Sequence, residues 1–543
     1  MRLSRRDRRR AGLGAIAGVL AAGTALGVGQ LMAGLTGANG SPVVAVGELQ
    51  IDFTPPWLKN FAISKFGADD KLVLVSGILV VLAIFAAVIG AAATRRMAYG
   101  MVGLGVFAVV GLTAAATRPT ATFASLLPTL AATAAAVAVL RLLIPLASPA
   151  APAPRRAVTF DPVTAAGPAD GEPQEPAEAE EPDGGYRPPR RSFLAAGAAT
   201  AGIAAAAGLA GRLLAERSSV ASAQRSLRIP KPAVTTQALP PGTNLDIPGL
   251  SPFVTSNASF YRVDTALVLP QVDPSSWQLR IHGMVNREIT LTFDELLKRP
   301  LIEDYVTLCC VSNPVGGPYI GNAKWLGASL AAVLREAGIK AGANQLLCTS
   351  VDGFTSGTPV QTVMDGRDAL LAVAMNGQPL PIAHGFPARM VVPGLYGYVS
   401  ATKWVTDINV TTFASAVAYW AQHGWSQQGP IKTESRIDVP VYGASLAPGR
   451  TPVAGVAWAQ HKGIAAVEVR VNGGSWHEAR LAAVPGIDTW RQWVWEWQAA
   501  PGNYLIEARA TDQTGYTQTA VQAQPPPNGA SGYPSAQVTV RTS

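Results

Sequence analysis

Three cysteines carry any thiol chemistry that this chain can perform. Cys309 and Cys310 end a strand-like run, 305–313, that closes in a polar turn, and Cys348 follows later. Three cysteines in 543 residues exclude a disulfide framework, and the absence of C-x-x-C-H excludes covalently attached haem. Taken alone, the run indicates a buried strand with a packed thiol. A chemical role for it depends on other groups in the chain.

A second group of residues is suited to binding an anion. His384 and Arg389 lie among tight glycine and proline turns, and Lys403 follows shortly after. Such side chains, together with loop amides, can hold an anionic, phosphate-bearing ligand. A lone loop histidine is usually only solvated, but the nearby Arg389 favours a site. The chain contains neither G-x-G-x-x-G nor a Walker loop, which argues against a nucleotide cofactor.

These segments, in this order, resemble the sulfite oxidase family of molybdopterin enzymes over about 251–520, close to half of the chain. TLCCVSN at 307–313 resembles the molybdenum-cysteine motif of that family, and GNAKWLG at 321–327 resembles the segment that follows it. HGFPAR at 384–389 and TKW at 402–404 are similar to its pterin-anchoring loops. Each motif is moderately specific, and their order makes the resemblance strong.

The resemblance implies a molybdenum-molybdopterin cofactor that performs two-electron oxygen-atom transfer. Cys310 falls on the metal ligand, where a soft thiolate suits high-valent molybdenum once it is deprotonated. Cys309 then points to the opposite strand face, and we expect both Cys309 and Cys348 in the core. The implied cofactor-binding residues are Asn257, Tyr261, Asp352, His384, Arg389, Ala401, Thr402 and Lys403. For Tyr261 and Asp352, an ordinary loop or turn is the alternative.

Departures from the family pattern concern the substrate. Sulfite oxidases have Arg-Asn-His where this chain has Ser-Asn-Ala at 256–258, and an arginine where it has Pro314 or Val315. Their active-site tyrosine is replaced by Trp425, our second expected catalytic residue. A dianion is normally held by several cationic donors, and each lost charge-assisted bond weakens binding by about 1.5–3 kcal/mol. We therefore expect a neutral or organic oxygen-atom donor or acceptor rather than sulfite.

The elements that carry these residues divide into a membrane part and a globular part. With 48% apolar and 14% charged residues, the chain is too apolar for one soluble protein and too polar for a pure transporter. Residues 1–147 contain four apolar runs long enough to be transmembrane helices, at about 11–35, 72–94, 98–117 and 123–147. Flanking arginines place their basic ends in the cytoplasm, which also accounts for much of the net charge of +8 without a nucleic-acid surface.

The next segments predict a linker and a fifth helix. Residues 148–191 are rich in Ala, Pro, Glu, Asp and Gly, as is typical of a disordered linker, here cytoplasmic. RRSFL at 190–194 opens a fifth apolar helix, 192–215, and resembles an internal twin-arginine export signal; the alternative is an ordinary basic flank. A Ser/Pro-rich tether, 216–250, follows. This topology places the globular part on the extracytoplasmic side of the cell membrane.

The globular part predicts two domains. Residues 251–413 mix strands and helices without βα alternation, which indicates an α+β domain. The resemblance implies that this domain is a sulfite-oxidase-like molybdopterin domain. Residues 414–543 show short strands, an Asn472-Gly473 hairpin turn, and Trp493, Trp495 and Trp497 on one strand face. They predict a β-sandwich, which in the resemblance is immunoglobulin-like and of the dimerisation type. The overall fold class is thus five transmembrane helices, an α+β domain and a sandwich.

The expected partners follow from the histidines. All five lie after residue 216, so the membrane helices cannot ligate a bis-histidine haem, and we expect no haem in this chain. A separate electron-transfer partner is therefore needed. The other expected partners are a small-molecule substrate, the lipid bilayer and possibly a second copy in a homodimer, but no nucleic acid. The prediction is a membrane-anchored extracytoplasmic oxidoreductase, and the alternative is a non-catalytic binding or scaffold protein that retains the fold.

Overall fold

The computed structural model describes residues 5–36, 41–55, 58, 70–118, 121–147, 190–217 and 220–542. The chain divides into two compact units, one formed by the long N-terminal helices and one mainly by residues from 218 onward. The predicted cytoplasmic linker, 148–191, lies outside the described residues except for its last two, which belong to a helix.

Twelve α-helices lie within the described residues. In chain order, α1 to α12 are Arg5–Thr36, Pro42–Phe53, Asp70–Ala93, Met97–Ala116, Phe123–Ala147, Arg190–Arg217, Ala221–Ser226, Phe293–Leu297, Leu330–Ala337, Val360–Met364, Gly397–Ser400 and Tyr419–Gln422. Helices α1, α3, α4, α5 and α6 are long and apolar enough to cross a membrane, which confirms the five predicted apolar helices. Helix α2 was not predicted.

The helical unit packs small residues inside and exposes large apolar ones. A Cβ added to Gly18 of α1 would collide with the Ala86 carbonyl of α3, and one added to Gly27 would collide with the Ala204 carbonyl of α6. Large side chains such as Ile84 and Val102 are instead 59% and 67% exposed. This distribution is typical of helices that approach each other closely and face lipid.

Nineteen strands are described in the second unit. In chain order, β1 to β19 are Gln278–Gly283, Ile289–Thr292, Leu301–Cys309, Ile320–Ser329, Gln345–Ser350, Thr355–Pro359, Leu370–Met375, Gln378–Pro379, Arg389–Val391, Val405–Thr411, Glu434–Val439, Ser445–Leu446, Gly449–Trp458, Ile464–Val471, His477–Glu478, Arg480–Leu481, Arg491–Ala499, Gly502–Asp512 and Ser535–Val540. They form four sheets.

Two of the sheets build the α+β domain. One has the order β2-β1-β10-β5-β6, with β1 parallel to β10 and its other neighbours antiparallel. The other has the order β3-β4-β7-β8, with β9 also paired to β7. Helix α9 begins after the cap Ser329 and ends at the left-handed Gly338. The candidate site residues lie at the ends of both sheets, since Cys310 and Arg389 adjoin β3 and β9, whereas Asp352 and residues 401–403 adjoin β5 and β10.

The last 110 residues or so form a two-sheet β-sandwich. Its sheets have the orders β11-β13-β17-β16 and β12-β19-β18-β14-β15. The predicted hairpin is present, since β14 turns through Asn472 and Gly473, both at positive φ, and pairs with β15. Trp493 and Trp497 are buried in the core of the sandwich, and Trp495 packs against it. The prediction of a sandwich with tryptophans as core residues is thus confirmed.

Residues 220–250 are packed against the domain, unlike the predicted tether. The Gln224 side chain donates to the Leu380 carbonyl at 2.7 Å, and the Ala233 amide donates to the Leu301 carbonyl at 2.8 Å. Farther along, the Leu245 amide donates to the Gln492 side chain at 2.6 Å. Composition alone indicated a tether because these contacts depend on partners far away in the sequence.

Candidate active site

Cys310 is the first residue after β3, where the chain turns toward β4. Its amide donates to the Tyr319 carbonyl at 2.9 Å, and its carbonyl accepts the Asn313 amide at 3.1 Å. The residue is 9% exposed. Burial raises the pKa of the Cys310 thiol, and hydrogen bonds from Ser312 act in the opposite direction. A proton must therefore leave a buried thiol before Cys310 can bind a metal.

The other two cysteines are core residues, as predicted. Cys309 is fully buried in an apolar cluster with Val311, Tyr396 and Trp458. Cys348 is fully buried in the main core of the α+β domain. Burial raises the pKa of both thiols, that of Cys348 to about 12. Both therefore stay protonated and unreactive.

Tyr261 connects the cysteine to the predicted anion site. Its ring stacks on Phe260 with centroids 5.3 Å apart. Burial and the nearby Cys310 raise the pKa of the Tyr261 hydroxyl well above its usual value, while Arg389 lowers it. Tyr261 therefore lies within electrostatic reach of both the thiol and the guanidinium. A Cβ added to Gly397 would lie 3.9 Å from the Tyr261 hydroxyl and 3.7 Å from the Cys309 carbonyl, so Tyr261 lies near the cysteine pair.

Arg389 is a buried cation bound only by neutral groups. It is 5% exposed, and it donates to the carbonyls of His384 (3.1 Å), Ala401 (3.1 Å) and Met390 (3.3 Å). Its guanidinium lies 5.1 Å from the Trp325 ring centroid. Among the residues that the structure describes, no carboxylate pairs with it. Burial lowers the pKa of Arg389 to about 10, so the group remains charged at neutral pH.

His384 lies beside Arg389 and joins two of the predicted cofactor loops. Its Nε2 is 3.2 Å from the Asn257 carbonyl, and its ring packs edge-on against Phe260 at 5.6 Å. Burial, followed by the charges of Arg389 and Lys403, lowers the pKa of His384 to about 4. His384 is therefore neutral at physiological pH. Asn257 is itself held by Asn376, whose side chain donates to it at 2.8 Å.

Lys403 differs from Arg389 because a buried carboxylate neutralises it. Its Nζ lies 2.8 Å from Asp264, which is 4% exposed as a side chain and also pairs with Arg262. Lys403 donates in addition to the Ala383 carbonyl at 3.2 Å. Sequence reasoning missed Asp264, since no local pattern links it to a lysine so distant in the chain.

The neighbouring residues have structural contacts of their own. The Thr402 hydroxyl is fully buried and lies 2.6 Å from that of Ser356. Asp352 accepts the Phe354 amide at 3.2 Å in a tight turn. The Val351 amide bonds the Trp404 carbonyl at 3.0 Å, which places this turn next to Lys403. The turn that carries Asp352 therefore adjoins the cationic loop rather than the cysteine.

Trp425 belongs to an aromatic cluster on the cysteine side of the domain. It is 7% exposed and shares that cluster with Cys309 and Val311, the neighbours of Cys310. Its ring lies 6.1 Å from those of Tyr398 and Trp420. The surroundings of Trp425 are therefore apolar.

Sequence reasoning also missed a buried acid beside the cysteines. Glu434 is 4% exposed, and its Oε1 has no hydrogen-bond partner among the described residues. Burial raises the pKa of Glu434 to about 8, against the opposing effect of Lys432. Its charge would act on Cys309 and on the buried Tyr396. No motif identifies Glu434, because its surroundings form only where the sandwich meets the α+β domain.

The residues present fit a cofactor that carries both a metal and an anionic group. Arg389 is a buried cation without a carboxylate partner in the described part of the chain, which suits a phosphate. Three residues after Cys310, the side chain of Asn313 is almost fully buried, and its Nδ2 has no hydrogen-bond partner among the described residues. Its Oδ1 accepts the Tyr319 amide at 2.8 Å, which fixes the orientation of the amide. The unused donor therefore points to a ligand acceptor near the thiol.

Comparison with known proteins points to the same part of the chain. A family model described as the oxidoreductase molybdopterin binding domain matches residues 266–420. This range contains Cys310, Asp352, His384, Arg389 and 401–403. It excludes the predicted site residues Asn257, Tyr261 and Trp425.

Three relatives illustrate the range of similarity. Sulfite oxidase of Gallus gallus is 32% identical over 290 residues, covering 45% of this chain and 62% of the relative. An uncharacterised oxidoreductase of Bacillus subtilis is 31% identical over 157 residues, covering 29% and 76%. NADH nitrate reductase 1 of rice is 35% identical over 190 residues, covering 30% and 20%. The chain spans 52–62% of the length of the vertebrate sulfite oxidases that it matches.

Proposed function

Because this chain belongs to the sulfite oxidase family of molybdopterin oxidoreductases, we propose that it is a membrane-anchored, extracytoplasmic enzyme of oxygen-atom transfer. Its substrate is a small molecule other than sulfite, and a separate protein exchanges electrons with it. The observation that carries the proposal is the association of a buried thiol, Cys310, with a buried cation, Arg389, both within electrostatic reach of the buried Tyr261.

Each residue of the site has a distinct task in this proposal. Cys310 holds molybdenum as a thiolate, and the bound cofactor supplies two-electron oxygen-atom transfer. Arg389 provides positive charge for the anionic part of the pterin, while neutral His384 and Asn257 shape the loops around it. Asp352, Ala401, Thr402 and Lys403 complete the pterin contacts. Burial of these groups excludes water and strengthens their electrostatic interactions.

The surroundings of Cys310 support a substrate that is not a dianion. The turn from Asn313 to Tyr319 contains no lysine or arginine. Arg436, which reaches this turn from the sandwich, is already paired with Asp438 at 2.6 Å. Trp425 adds apolar surface on the same side. A neutral organic oxygen-atom donor or acceptor fits such a site better than sulfite does, since a dianion needs several charge-assisted bonds.

Metal analysis of the purified full-length chain tests the proposal. We expect near-stoichiometric molybdenum in the wild type and a severe loss in Cys310→Ala, because the thiolate ligand is gone. Cys348→Ala is the matched control, since it removes a buried thiol outside the site. Metal-free wild-type protein would favour the alternative scaffold function instead. Loaded protein can then be screened for substrates with a dye electron donor and a dye electron acceptor.

The membrane part of the proposal rests on five apolar helices and their basic flanks. Only the fifth helix lies between the linker 148–189 and the globular unit, so a single crossing places them on opposite sides of the membrane. Reporter fusions within the linker and after residue 542 should therefore give opposite signals. Equal signals would refute the topology. The sandwich is proposed to be immunoglobulin-like and to support a homodimer, which the mass of the detergent-solubilised particle would test.

A further inference from the structure

The strand that leads to Cys310 lies at a sheet edge, and the sandwich covers that edge. Strand β3 pairs along its length with β4 alone, and on its other edge Val234 bridges only the start of the strand, at Ile302. An edge strand leaves backbone amides and carbonyls without partners unless another segment covers them. At Thr307, which is fully buried, the amide donates to the Asp488 carbonyl at 3.0 Å. The Thr307 carbonyl accepts the Gln460 side chain at 2.9 Å.

The side chain of Thr307 joins the same contact. Its hydroxyl accepts the Trp490 amide at 2.7 Å and donates to Asn322 of β4 at 2.9 Å. Every polar group of Thr307 is therefore bonded, and three of its four partners belong to the sandwich. No other residue of β3 has hydrogen bonds to the sandwich among those described. Thr307 thus fixes the chain three residues before Cys310.

A second contact fixes the chain after Cys310. Arg436 of β11 donates from Nη1 to the Gly317 carbonyl at 3.2 Å and from Nη2 to the Ser251 hydroxyl at 2.8 Å. Its Nε bonds Asp438 at 2.6 Å, and Asp438 also accepts the Ser251 amide at 3.0 Å. The Arg436 side chain is only 12% exposed. One buried ion pair therefore joins the sandwich to both the cysteine turn and residue 251.

Between these two contacts, the turn is closed mainly by its own backbone. The Asn313 amide bonds the Cys310 carbonyl, and the Gly317 amide bonds the Pro314 carbonyl at 2.8 Å. Val311 packs in the apolar cluster, but the rest of the turn, with two prolines and two glycines, has little apolar packing of its own. Its position therefore depends on the anchors at its two ends.

We propose that the sandwich positions the metal ligand: Thr307 and Arg436 hold the Cys310 segment from both ends, so that the thiol is fixed before the cofactor binds. This inference rests on the proposed role of Cys310 as a ligand. Thr307 and Arg436 act through Cys310 and are positioning residues. Residues outside the ligand set commonly orient metal ligands in this way.

The rate at which a thiol reagent modifies each cysteine of the full-length, cofactor-free chain tests the proposal. Mass spectrometry assigns the modification to Cys309, Cys310 or Cys348. The two fully buried cysteines report unfolding, and Cys310 alone reports local opening of the turn. The variants are Arg436→Gln and Thr307→Val. Arg470→Gln is the matched control, because Arg470 forms a similar half-buried pair with Glu507 that does not contact the cysteine turn.

We expect Cys310 to react about tenfold faster in both variants, as loss of a charge-assisted or buried hydrogen bond predicts, with Cys309 and Cys348 still protected. The Arg470→Gln control should match the wild type. Rates for Cys310 that stay at the wild-type value in both variants, or that rise equally in the control, would overturn the proposal. If Arg436→Gln exposes all three cysteines, Arg436→Lys decides: it keeps the charge but not the forked contact, and an unchanged Cys310 rate there overturns the proposal.

A spectroscopic measurement on molybdenum-loaded protein adds a signal that does not change with the overall stability of the fold. Arg436→Gln protein that retains molybdenum should show a shifted molybdenum(V) electron paramagnetic resonance signal, because the thiolate is less tightly oriented. The Arg470→Gln signal should equal that of the wild type. Failure of the proposed function can be told apart from failure of this inference. If the proposed function is wrong, the wild type contains no molybdenum, but thiol labelling of the cofactor-free protein still shows whether Thr307 and Arg436 position Cys310.

Discussion

The two ends of the candidate site bury their ionisable groups in opposite ways. At the cysteine end, formed by Cys310 with Cys309 and Glu434 beside it, burial raises the pKa values and keeps acidic groups neutral. At the cationic end, formed by His384 and Arg389, burial lowers the pKa values, yet Arg389 remains charged. The protein thus presents little negative charge at one end and a buried positive charge at the other.

This difference matches a ligand with a metal at one end and an anionic group at the other. A metal cation favours release of the Cys310 proton, so the thiol can stay neutral until the metal binds. Arg389 has to be charged beforehand, because an anion binds by direct attraction. Lys403 shows that positive charge alone is not enough, since Asp264 already neutralises it at 2.8 Å. Arg389 is therefore the more informative cation to remove.

The largest effect is expected for Arg389→Met. Loss of the buried charge should reduce the molybdenum content of purified protein by at least about tenfold, because each charge-assisted bond contributes about 1.5–3 kcal/mol. Arg389→Lys should retain part of the metal, since it keeps the charge without the forked geometry. Arg491→Met is the matched control: Arg491 donates to the Ala482 and Ile464 carbonyls inside the sandwich.

Full molybdenum loading in Arg389→Met would contradict the proposed difference between the two ends, because the cationic end would then not be the anion site. Equal losses in Arg389→Met and Arg491→Met would indicate a general loss of stability. The melting temperature of each cofactor-free variant, measured by intrinsic fluorescence, separates these cases.

The second effect concerns the cysteine end and the pH dependence of stability. The pKa of Glu434 is about 8 in the folded protein, against an ordinary value of 4.5. Between these values the folded chain binds a proton that the unfolded chain has lost, so the free energy of unfolding falls as pH rises from 4.5 to 8. The slope for one proton is at most about 1.4 kcal/mol per pH unit. Glu434→Gln should remove this contribution.

Melting temperatures of wild type and Glu434→Gln between pH 5 and pH 9 measure the effect. Asp304, whose pKa burial raises to about 7, contributes a slope of the same sign, so the difference between the two proteins is the relevant quantity. If the melting temperatures of the two proteins change with pH in parallel, the pKa of Glu434 is not raised, and the cysteine end carries a negative charge at neutral pH.

The motifs named residues that lie near one another but did not predict their contacts. In the structure, Arg389 donates to the His384 carbonyl, and Arg389 and Cys310 both lie within electrostatic reach of Tyr261. The five apolar helices followed from composition, because about 20 consecutive apolar residues are the length that a helix needs to cross a bilayer. Helix α9 has end signals of the same local kind, because its cap Ser329 and its terminal Gly338 adjoin the segment itself.

What the sequence did not reveal depends on long-range contacts. Asp264 neutralises Lys403 across 139 residues, and Gln460 reaches Thr307 across 153 residues. No periodicity or motif links such partners, since they meet only when the sheets and the sandwich assemble. Residues 220–250 were expected to be a tether for the same reason, because the Ser/Pro-rich composition does not show that Leu245 bonds Gln492. The unpredicted part is thus tertiary pairing of polar groups.

The smallest expected effect has the opposite sign and belongs to the cationic end. The pKa of His384 is about 4 in the folded protein, against an ordinary 6.5. Between these values the unfolded chain binds a proton that the folded chain excludes, so stability is present above pH 6.5 and is lost as pH falls toward 4. His384→Gln keeps a neutral polar side chain and should reduce this loss of stability, whose slope is below about 1.4 kcal/mol per pH unit.

Melting temperatures of wild type and His384→Gln between pH 4 and pH 7 measure this loss of stability. Because Glu434 contributes a slope of the other sign between pH 4.5 and 6.5, the two contributions oppose each other in the wild type, and the difference between His384→Gln and wild type is the relevant quantity. A His384→Gln profile parallel to that of the wild type would mean that burial, together with the charge of Arg389, does not lower the pKa of His384, and the electrostatic contrast between the two ends would fail at its cationic side.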